Sequence, residues 1–429
     1  MSFLLGPMRK HIPGHKALTD SNAIVRLNTP EKVYIPLVAF GKDAVDVLVQ
    51  PGDEVKIGTK LAARNDHFYV PIFSSVSGKV LELVDLPYTW GPKKVKHVVI
   101  ENDHQDQHEV YETLDISNAS KDEIVEHIKQ LGIVGCGGAG FPTFAKYSNV
   151  KQADYLIINA VECEPYLTCD YRNAKEYLED IVYGTLALQK AGNVSKVKVA
   201  IKDDKKALIA KLKEAFHPYS DIEVVGVPNV YPMGWERTLV RQLTNKEYKQ
   251  LPIEVGCIVN NSTTAIAVSR AFKYGFPITE KLVTVSGDGV KNPANVLATI
   301  GTKMSDVIAA CGGVTSEEIT LQAGGPMMGR TLLSADTVIN ATTNALTIHE
   351  YREYNAIPCL RCGTCNDHCP AGILPVMIMD AEQAKDVDRL IKLDANSCIE
   401  CGMCSYVCPS KIEVTEAVRR AKRVLALRK

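Results

Sequence analysis

Gly132-Ile133-Val134-Gly135-Cys136-Gly137-Gly138-Ala139-Gly140-Phe141-Pro142-Thr143 is a run dense in glycine, with Lys146 just beyond it. Glycines let backbone N–H groups approach a phosphate closely, and a nearby lysine adds a point charge. What precedes the run decides the fold. Ser120-Lys121-Asp122-Glu123 has the form of a capping box, and Ile124, Val125, Ile128 and Leu131 follow at helical spacing. A loop entered from a helix rather than a strand departs from the ordinary dinucleotide-binding rule. Beyond the loop, strand-like runs at 155–159, 197–201, 221–227 and 256–260 alternate with helical stretches at about 172–191, 204–216, 235–243 and 262–274. That alternation predicts an α/β domain with a largely parallel sheet.

Upstream, residues 30–100 read as short strands joined by turns, with extended segments at 33–37, 44–49, 60–62 and 68–72. Gly52-Asp53-Glu54-Val55-Lys56-Ile57-Gly58 and Ser75-Val76-Ser77-Gly78-Lys79-Val80 resemble the two halves of a lipoyl- or biotinyl-type barrel-sandwich. Aligned on Val76-Ser77-Gly78, the modified lysine of that family falls at His67, so the module reads as a scaffold and His67 as a surface turn residue. Residues 104–120 form a polar, acidic linker. Downstream, 282–286 and 296–300 suit a hairpin around Gly287-Asp288-Gly289, followed by a helix at 304–310 and a strand at 319–322, a small α+β module of β-grasp type. A looser segment, 331–356, leads to a cysteine-rich tail, and a basic helix at 412–428 closes the chain.

The 429 residues carry 49 basic and 50 acidic side chains, a balance that gives no electrostatic reason to expect nucleic acid or an anionic membrane as partner. No stretch approaches the ~20 apolar residues of a membrane span. The start, Met1-Ser2-Phe3-Leu4-Leu5-Gly6-Pro7, has no basic segment ahead of its apolar residues, so a reducing cytoplasm is the expected compartment. Thirteen cysteines is an odd count that suits free thiolates better than disulfides. Cys359-x2-Cys362-x2-Cys365-x3-Cys369-Pro370 and Cys398-x2-Cys401-x2-Cys404-x3-Cys408-Pro409 are the bacterial ferredoxin run, twice. Three thiolates two residues apart let one tight loop wrap three corners of a cube, while the fourth faces the other cube. One [4Fe–4S] cluster is therefore assigned to Cys359, Cys362, Cys365 and Cys408, the other to Cys398, Cys401, Cys404 and Cys369. Zinc takes its ligands as two separated pairs and fits the run poorly.

Gly135-x-Gly137-Gly138-Ala139-Gly140-Phe141-Pro142-Thr143 closely resembles the flavin loop of the NADH-oxidising subunit of respiratory complex I. Asn159-Ala160-Val161-Glu162-Cys163-Glu164-Pro165 and Val259-Asn260-Asn261 resemble two further segments of that subunit. Together with Gly324-Gly325-Pro326-Met327-Met328-Gly329 and the cysteine tail, nearly the whole chain resembles the RnfC family. The resemblance implies a multidomain α/β fold. Its parts are a barrel-sandwich hybrid over 1–103, a complex I flavin-subunit-like FMN/NADH-binding domain over 118–277, an SLBB β-grasp module over 278–332 and a two-cluster ferredoxin-type domain over 350–429. It also implies FMN at the loop, NADH as electron donor, and single electrons released to the clusters. By carry-over, Gly135, Gly137, Gly138 and Lys146 hold the FMN phosphate and ribityl region. Asn159, Asn260 and Asn261 bond the flavin, and Glu162, Glu164 and Glu236 shape the nicotinamide side. Complex I has an arginine at Cys136, an aspartate at Val161 and a glutamate at Trp235, which predicts a rearranged grip on FMN. A thiol among loop amides is expected to have a lowered pKa, making Cys136 a candidate redox thiol. Cys163, Cys169, Cys257 and Cys311 read as packing residues.

Within the family, the Cys136 loop, Tyr231-Pro232-Met233-Gly234-Trp235-Glu236 and the end at Lys429 favour the soluble branch, PrdC, that serves proline reductase. The alternatives are a peripheral NADH-oxidising subunit of the membrane Rnf complex, a cobalamin reductase-type flavoprotein, and a relay with an inactive nicotinamide site. The partner is then a protein electron acceptor, proline reductase or other Rnf subunits. Arg419, Arg420, Lys422, Arg423, Arg428 and Lys429 read as a solvated helix face, with an acidic partner as the alternative.

Overall fold

Ser120 ends the linker and starts the central domain. Its hydroxyl accepts from the Glu123 amide and the Glu123 carboxylate accepts from the Ser120 amide, closing a capping box. Helix α1 (Lys121–Gln130) then buries Ile124, Val125 and Ile128. The computed structural model describes residues 10–89 and 91–428. The N-terminal stretch read for a targeting signal, 1–9, and Lys429 lie outside the described residues.

Strands β1 (Ala153–Asn159), β2 (Val194–Lys202), β3 (Ile222–Val227) and β4 (Cys257–Asn261) form a parallel sheet in the order β3-β2-β1-β4. The chain steps outward from β1 to β3 and returns to the other side of β1, so the switch point lies between β1 and β4. Ligands of such sheets sit beyond the carboxyl ends of the strands at that point. Both strands end there in asparagine: Asn159, and Asn260-Asn261. The stretch read as one helix at 172–191 is two, α2 (Cys169–Glu176) and α3 (Leu178–Gly192), meeting at Tyr177, whose φ −117° and ψ 44° are not helical. Helices α4 (Lys206–Phe216), α5 (Glu236–Thr244) and α6 (Ser262–Tyr274) complete the layers. Helices α3 and α6 approach so closely at Gly184 that a Cβ there would lie 1.9 Å from the Ala265 carbonyl oxygen.

In the N-terminal module, Lys32–Pro36, Gly78–Tyr88, Gly91–Asn102 and Glu54–Val55 make one sheet; Asp46–Val47, Lys60–Arg64 and Val70–Phe73 make a second. They share a core of Val33, Ile35, Leu61, Val76, Val98 and Ile100. The hairpin from Gly78 to Asn102 is far longer than the short strands expected. His67 is exposed in the turn after Arg64. Phe68 beside it packs edge-on against Phe141 of the glycine loop, with ring centroids 5.4 Å apart.

Strands β5 (Glu280–Ser286) and β6 (Ala294–Thr299) pair antiparallel, Leu282 opposite Leu297. Their sheet reaches beyond 278–332. Ile24–Arg26 pairs parallel with β6, and Ala345–Glu350 pairs parallel with β5. The reading of 331–356 as a loose segment is thus corrected at 345–350, where Leu346 and Ile348 are fully buried. Their alternation with Thr347 is too short a signal to stand out. In the tail, Val414–Ala426 packs against Pro375–Gln383. Its cations are largely engaged internally: Arg419 and Lys422 pair with Glu400, and Arg420 with Glu382. No helix among the described residues is long and apolar enough to cross a membrane.

Candidate functional site

The glycine loop is closed by its own backbone, the Gly135 amide donating to Phe141 O at 2.8 Å and Gly140 to Gly135 O at 3.2 Å. Gly138 (φ 117°) and Gly140 (φ 63°) occupy the left-handed region, which only glycine enters cheaply. Between them, the amides of Gly137, Gly138 and Ala139 have no acceptor among the described residues, and nothing lies within 4 Å of a Cβ placed on Gly138. Successive free amides in such a turn form an anion nest. The nest stands at the β1/β4 switch point, since a Cβ on Gly137 would lie 3.2 Å from Asn261 Cβ. The hydroxyls of Thr143, which follows the loop, and Ser262, which follows Asn261, are buried without a partner among the described residues. Free amides facing open space fit a flavin phosphate.

The residues around the nest are braced by one another. Asn159 Nδ2 donates to Gly234 O at 2.8 Å and its Oδ1 accepts from the Val161 amide at 3.0 Å. Asn260 is buried and donates to the Tyr147 hydroxyl. Asn261 caps α6 and donates to Asp170 Oδ2 at 2.8 Å. Lys146 points its amine at Val259 O, 2.5 Å away, and not toward the nest. Burial pulls its pKa down, and Glu236 opposes that pull. Glu236 opens α5 and accepts from the Tyr248 hydroxyl at 2.9 Å.

Glu162 and Glu164 are half-buried. Glu162 accepts from the Asp170 amide at 3.0 Å and lies 3.9 Å from the Lys16 amine; burial raises its pKa. Glu164 accepts from the Met327 and Met328 amides at 2.7 and 3.0 Å, and burial likewise raises its pKa. Glu164 thus holds the 324–329 loop against the flavin domain. A Cβ on Gly325 would sit 2.1 Å from Glu164 Cγ. The expectation for Cys136 is overturned. Its thiol is 1% exposed, lies 3.5 Å from Val134 O, and has its pKa pushed up by burial, because the side chain turns inward while the amides turn out.

The two cysteine runs share one backbone. Arg361 and Glu400 both have φ 56°, and Gly363 and Gly402 follow at 79° and 76°. Each turn aims an amide at sulfur: Arg361 N lies 3.4 Å from Cys359 Sγ and Glu400 N 3.3 Å from Cys398 Sγ. Cys369, Cys398, Cys401 and Cys404 line a single pocket. Burial, reinforced by the neighbouring thiols, raises the Cys404 pKa to about 12, so these groups ionise readily only against a cationic cluster. In the other run, Cys359 and Cys365 pack together, Cys362 is exposed, and the Ile357 amide donates to Ser410 O at 3.1 Å, which brings the Cys408 turn beside Cys359. The pocket shared by Cys369 with Cys398, Cys401 and Cys404 fits a four-cysteine cage that takes its fourth ligand from the other run.

Two residues to which the sequence alone gives no role join these parts. The Tyr231 hydroxyl donates to Cys401 O at 2.7 Å and lies 3.4 Å from Glu164 Oε2. Tyr231, Cys401 and Met403 share an apolar cluster with Cys163 and Met327. Lys281, on β5, reaches under the glycine loop. Its only sequence signal is a charge in register with the apolar Val283 and Val285.

Four family models match in chain order: RnfC barrel sandwich hybrid domain over 10–105, Nuo51 FMN-binding domain over 128–270, SLBB domain over 282–331, and 4Fe-4S dicluster domain over 341–412. A subunit of the proton-translocating ferredoxin:NAD(+) oxidoreductase complex of Clostridium ljungdahlii is 37% identical, covering 86% of this chain and 82% of that one. A subunit of the Na(+)-translocating ferredoxin:NAD(+) oxidoreductase complex of Acetobacterium woodii is 34% identical, with 96% and 95% covered. A subunit of the ion-translocating oxidoreductase complex of Rhodobacter capsulatus is 35% identical, with 89% and 76% covered. In fold, the chain is similar to a chain of an NAD+-reducing [NiFe]-hydrogenase, with a TM-score of 0.50 at 18% identity; the match covers 73% of this chain and 62% of the hydrogenase chain. The protein is an electron-transferring oxidoreductase with FMN and [4Fe–4S] clusters as cofactors. With these relatives matched along most of its length, the chain belongs to the RnfC family.

Proposed function

We propose that this protein is the NAD(H)-side subunit of an Rnf-type ferredoxin:NAD oxidoreductase, joining NADH to its partner redox subunits. The relatives that carry this reading are subunits of ferredoxin:NAD oxidoreductase complexes; the proline reductase reading rests on the Cys136 loop, the 231–236 stretch and the position of the chain's end, and none of these relatives shares it. FMN, when bound, takes up electrons from nicotinamide in pairs and gives them out singly. The chain's own residues supply the rest. Gly137, Gly138 and Ala139 bind the phosphate end. Asn159, Asn260 and Asn261 fix the walls at the strand ends, with Lys146 and Glu236 behind them. Glu162 and Glu164 are carboxyls whose pKa burial raises, Glu162 beside Lys16 and Glu164 against the 324–329 loop.

The observation that carries the reading is the Tyr231–Cys401 bond, which fastens the flavin domain directly to one cluster cage. The cage of Cys369, Cys398, Cys401 and Cys404 is therefore the inner station. The other run, with Cys362 exposed beside exposed Leu360 and Ile357, is the outer station that meets a partner. The test is an anaerobic purification followed by NADH addition. Flavin absorbance beside the ~400 nm iron–sulfur band, with both bleached by NADH, is expected. A flavin-free protein that NADH does not bleach would leave only an electron relay.

A further inference from the structure

Lys281 is 3% exposed, and its amine donates to Cys136 O at 2.9 Å. It makes no ion pair among the described residues. The nearby acid, Asp170, is committed to Asn261 Nδ2 and Thr263 Oγ1, each at 2.8 Å. A buried ammonium whose only acceptor is a neutral carbonyl is costly, and such charges normally have a counter-charge. The peptide that Lys281 grips joins Cys136 to Gly137. In a trans peptide the C=O and N–H point in opposite directions. Drawing the Cys136 carbonyl inward therefore aims the Gly137 amide outward, into the three-amide nest.

We propose that Lys281, from the β-grasp module, is a positioning residue for the flavin phosphate. It fixes the 136–137 peptide with its amide outward and supplies the buried positive charge that the phosphate complements from across the loop. This rests on the placement of the FMN phosphate at Gly137–Ala139 proposed above. It also assigns part of FMN retention to a module outside the FMN-binding domain.

The test compares FMN with riboflavin, which lacks the phosphate, by fluorescence titration of flavin-depleted full-length protein under anaerobic conditions. Wild type, Lys281→Met, Lys281→Gln and Lys281→Arg are compared, each with far-UV circular dichroism and the cluster band as fold controls. Wild type is expected to prefer FMN. Lys281→Met and Lys281→Gln are expected to lose about 10- to 100-fold in FMN affinity, the range for a hydrogen bond to a charged group, with riboflavin affinity unchanged. Lys281→Arg retains most of the preference. Equal loss of both flavins, or full preference for FMN in the folded neutral variants, overturns the role of Lys281. If one neutral variant does not fold, the other is read against Lys281→Arg by the same criterion. No FMN preference in wild type instead overturns the phosphate placement itself.

Discussion

Glu164 and Tyr231 form a two-residue clasp between the flavin domain, the 324–329 loop and the inner cluster cage. Removing the phenolic hydroxyl in Tyr231→Phe leaves Cys401 O without its donor and should cost about 0.5–1.5 kcal/mol. The informative readout is kinetic: NADH should still reduce the flavin of this variant, while reduction of the inner cluster, followed by freeze-quench EPR, slows. Glu164 gives a pH prediction. Burial raises its folded-state pKa, so its contribution is complete below the ordinary carboxyl range and is lost as pH rises through the raised value. Glu164→Gln keeps the acceptor for Met327 and Met328 without an ionisable proton. Its thermal midpoint should therefore fall less than that of wild type on the alkaline side, while Glu164→Ala loses about 1–3 kcal/mol on the acid side, where the wild-type contribution is complete. Cys136 carries the opposite expectation. Buried with a raised pKa, it should resist thiol reagents in the native protein and react only on unfolding, which mass spectrometry after pulse alkylation reads directly.

At the scale of elements, local signals and packing part company. The capping box at Ser120 was legible because both partners lie within four residues; Ser120→Ala should lower stability by about 1 kcal/mol in thermal melts. The approach of α3 to α6 at Gly184 has no sequence signature, since any small residue reads alike there. Gly184→Ala would drive a methyl group into the Ala265 carbonyl and should cost about 1–3 kcal/mol or more. The dicluster domain is legible from the spacing of its two cysteine runs, because that spacing fixes the turn that wraps a cluster. Their exchange of fourth ligands is tested by comparing Cys369→Ser with Cys398→Ser. Both should abolish the same EPR signal and cut iron from about eight atoms per chain to about four. If Cys369→Ser instead abolishes the signal lost in Cys359→Ser, the exchange is wrong.

Across the whole molecule, what could be read in advance was whatever repeats or punctuates locally: the α/β alternation, the β-grasp hairpin, the two halves of the N-terminal barrel. What could not be read was everything that depends on distant segments meeting. Lys281 has no such signal, since a lone lysine in a strand reads as an edge charge until the loop above it is in place. Nearness in sequence points Lys146 at the phosphate, yet its amine turns to Val259 O. The strand Ala345–Glu350 leaves little local trace because its partner, β5, lies beyond the helix and strand between them. One such meeting bears on how the protein is made. Ile24–Arg26 completes the β-grasp sheet by pairing with β6, with Ile24 opposite Asn295. During vectorial synthesis the first of these strands leaves the ribosome long before the second exists. It must either wait unpaired or seek another edge, and β6, buried along its whole length in the finished fold, offers a bare flank to any chain that has lost its first residues. Proteolytic trimming at the N-terminus should therefore damage this protein far along the chain, as self-association through the β-grasp module.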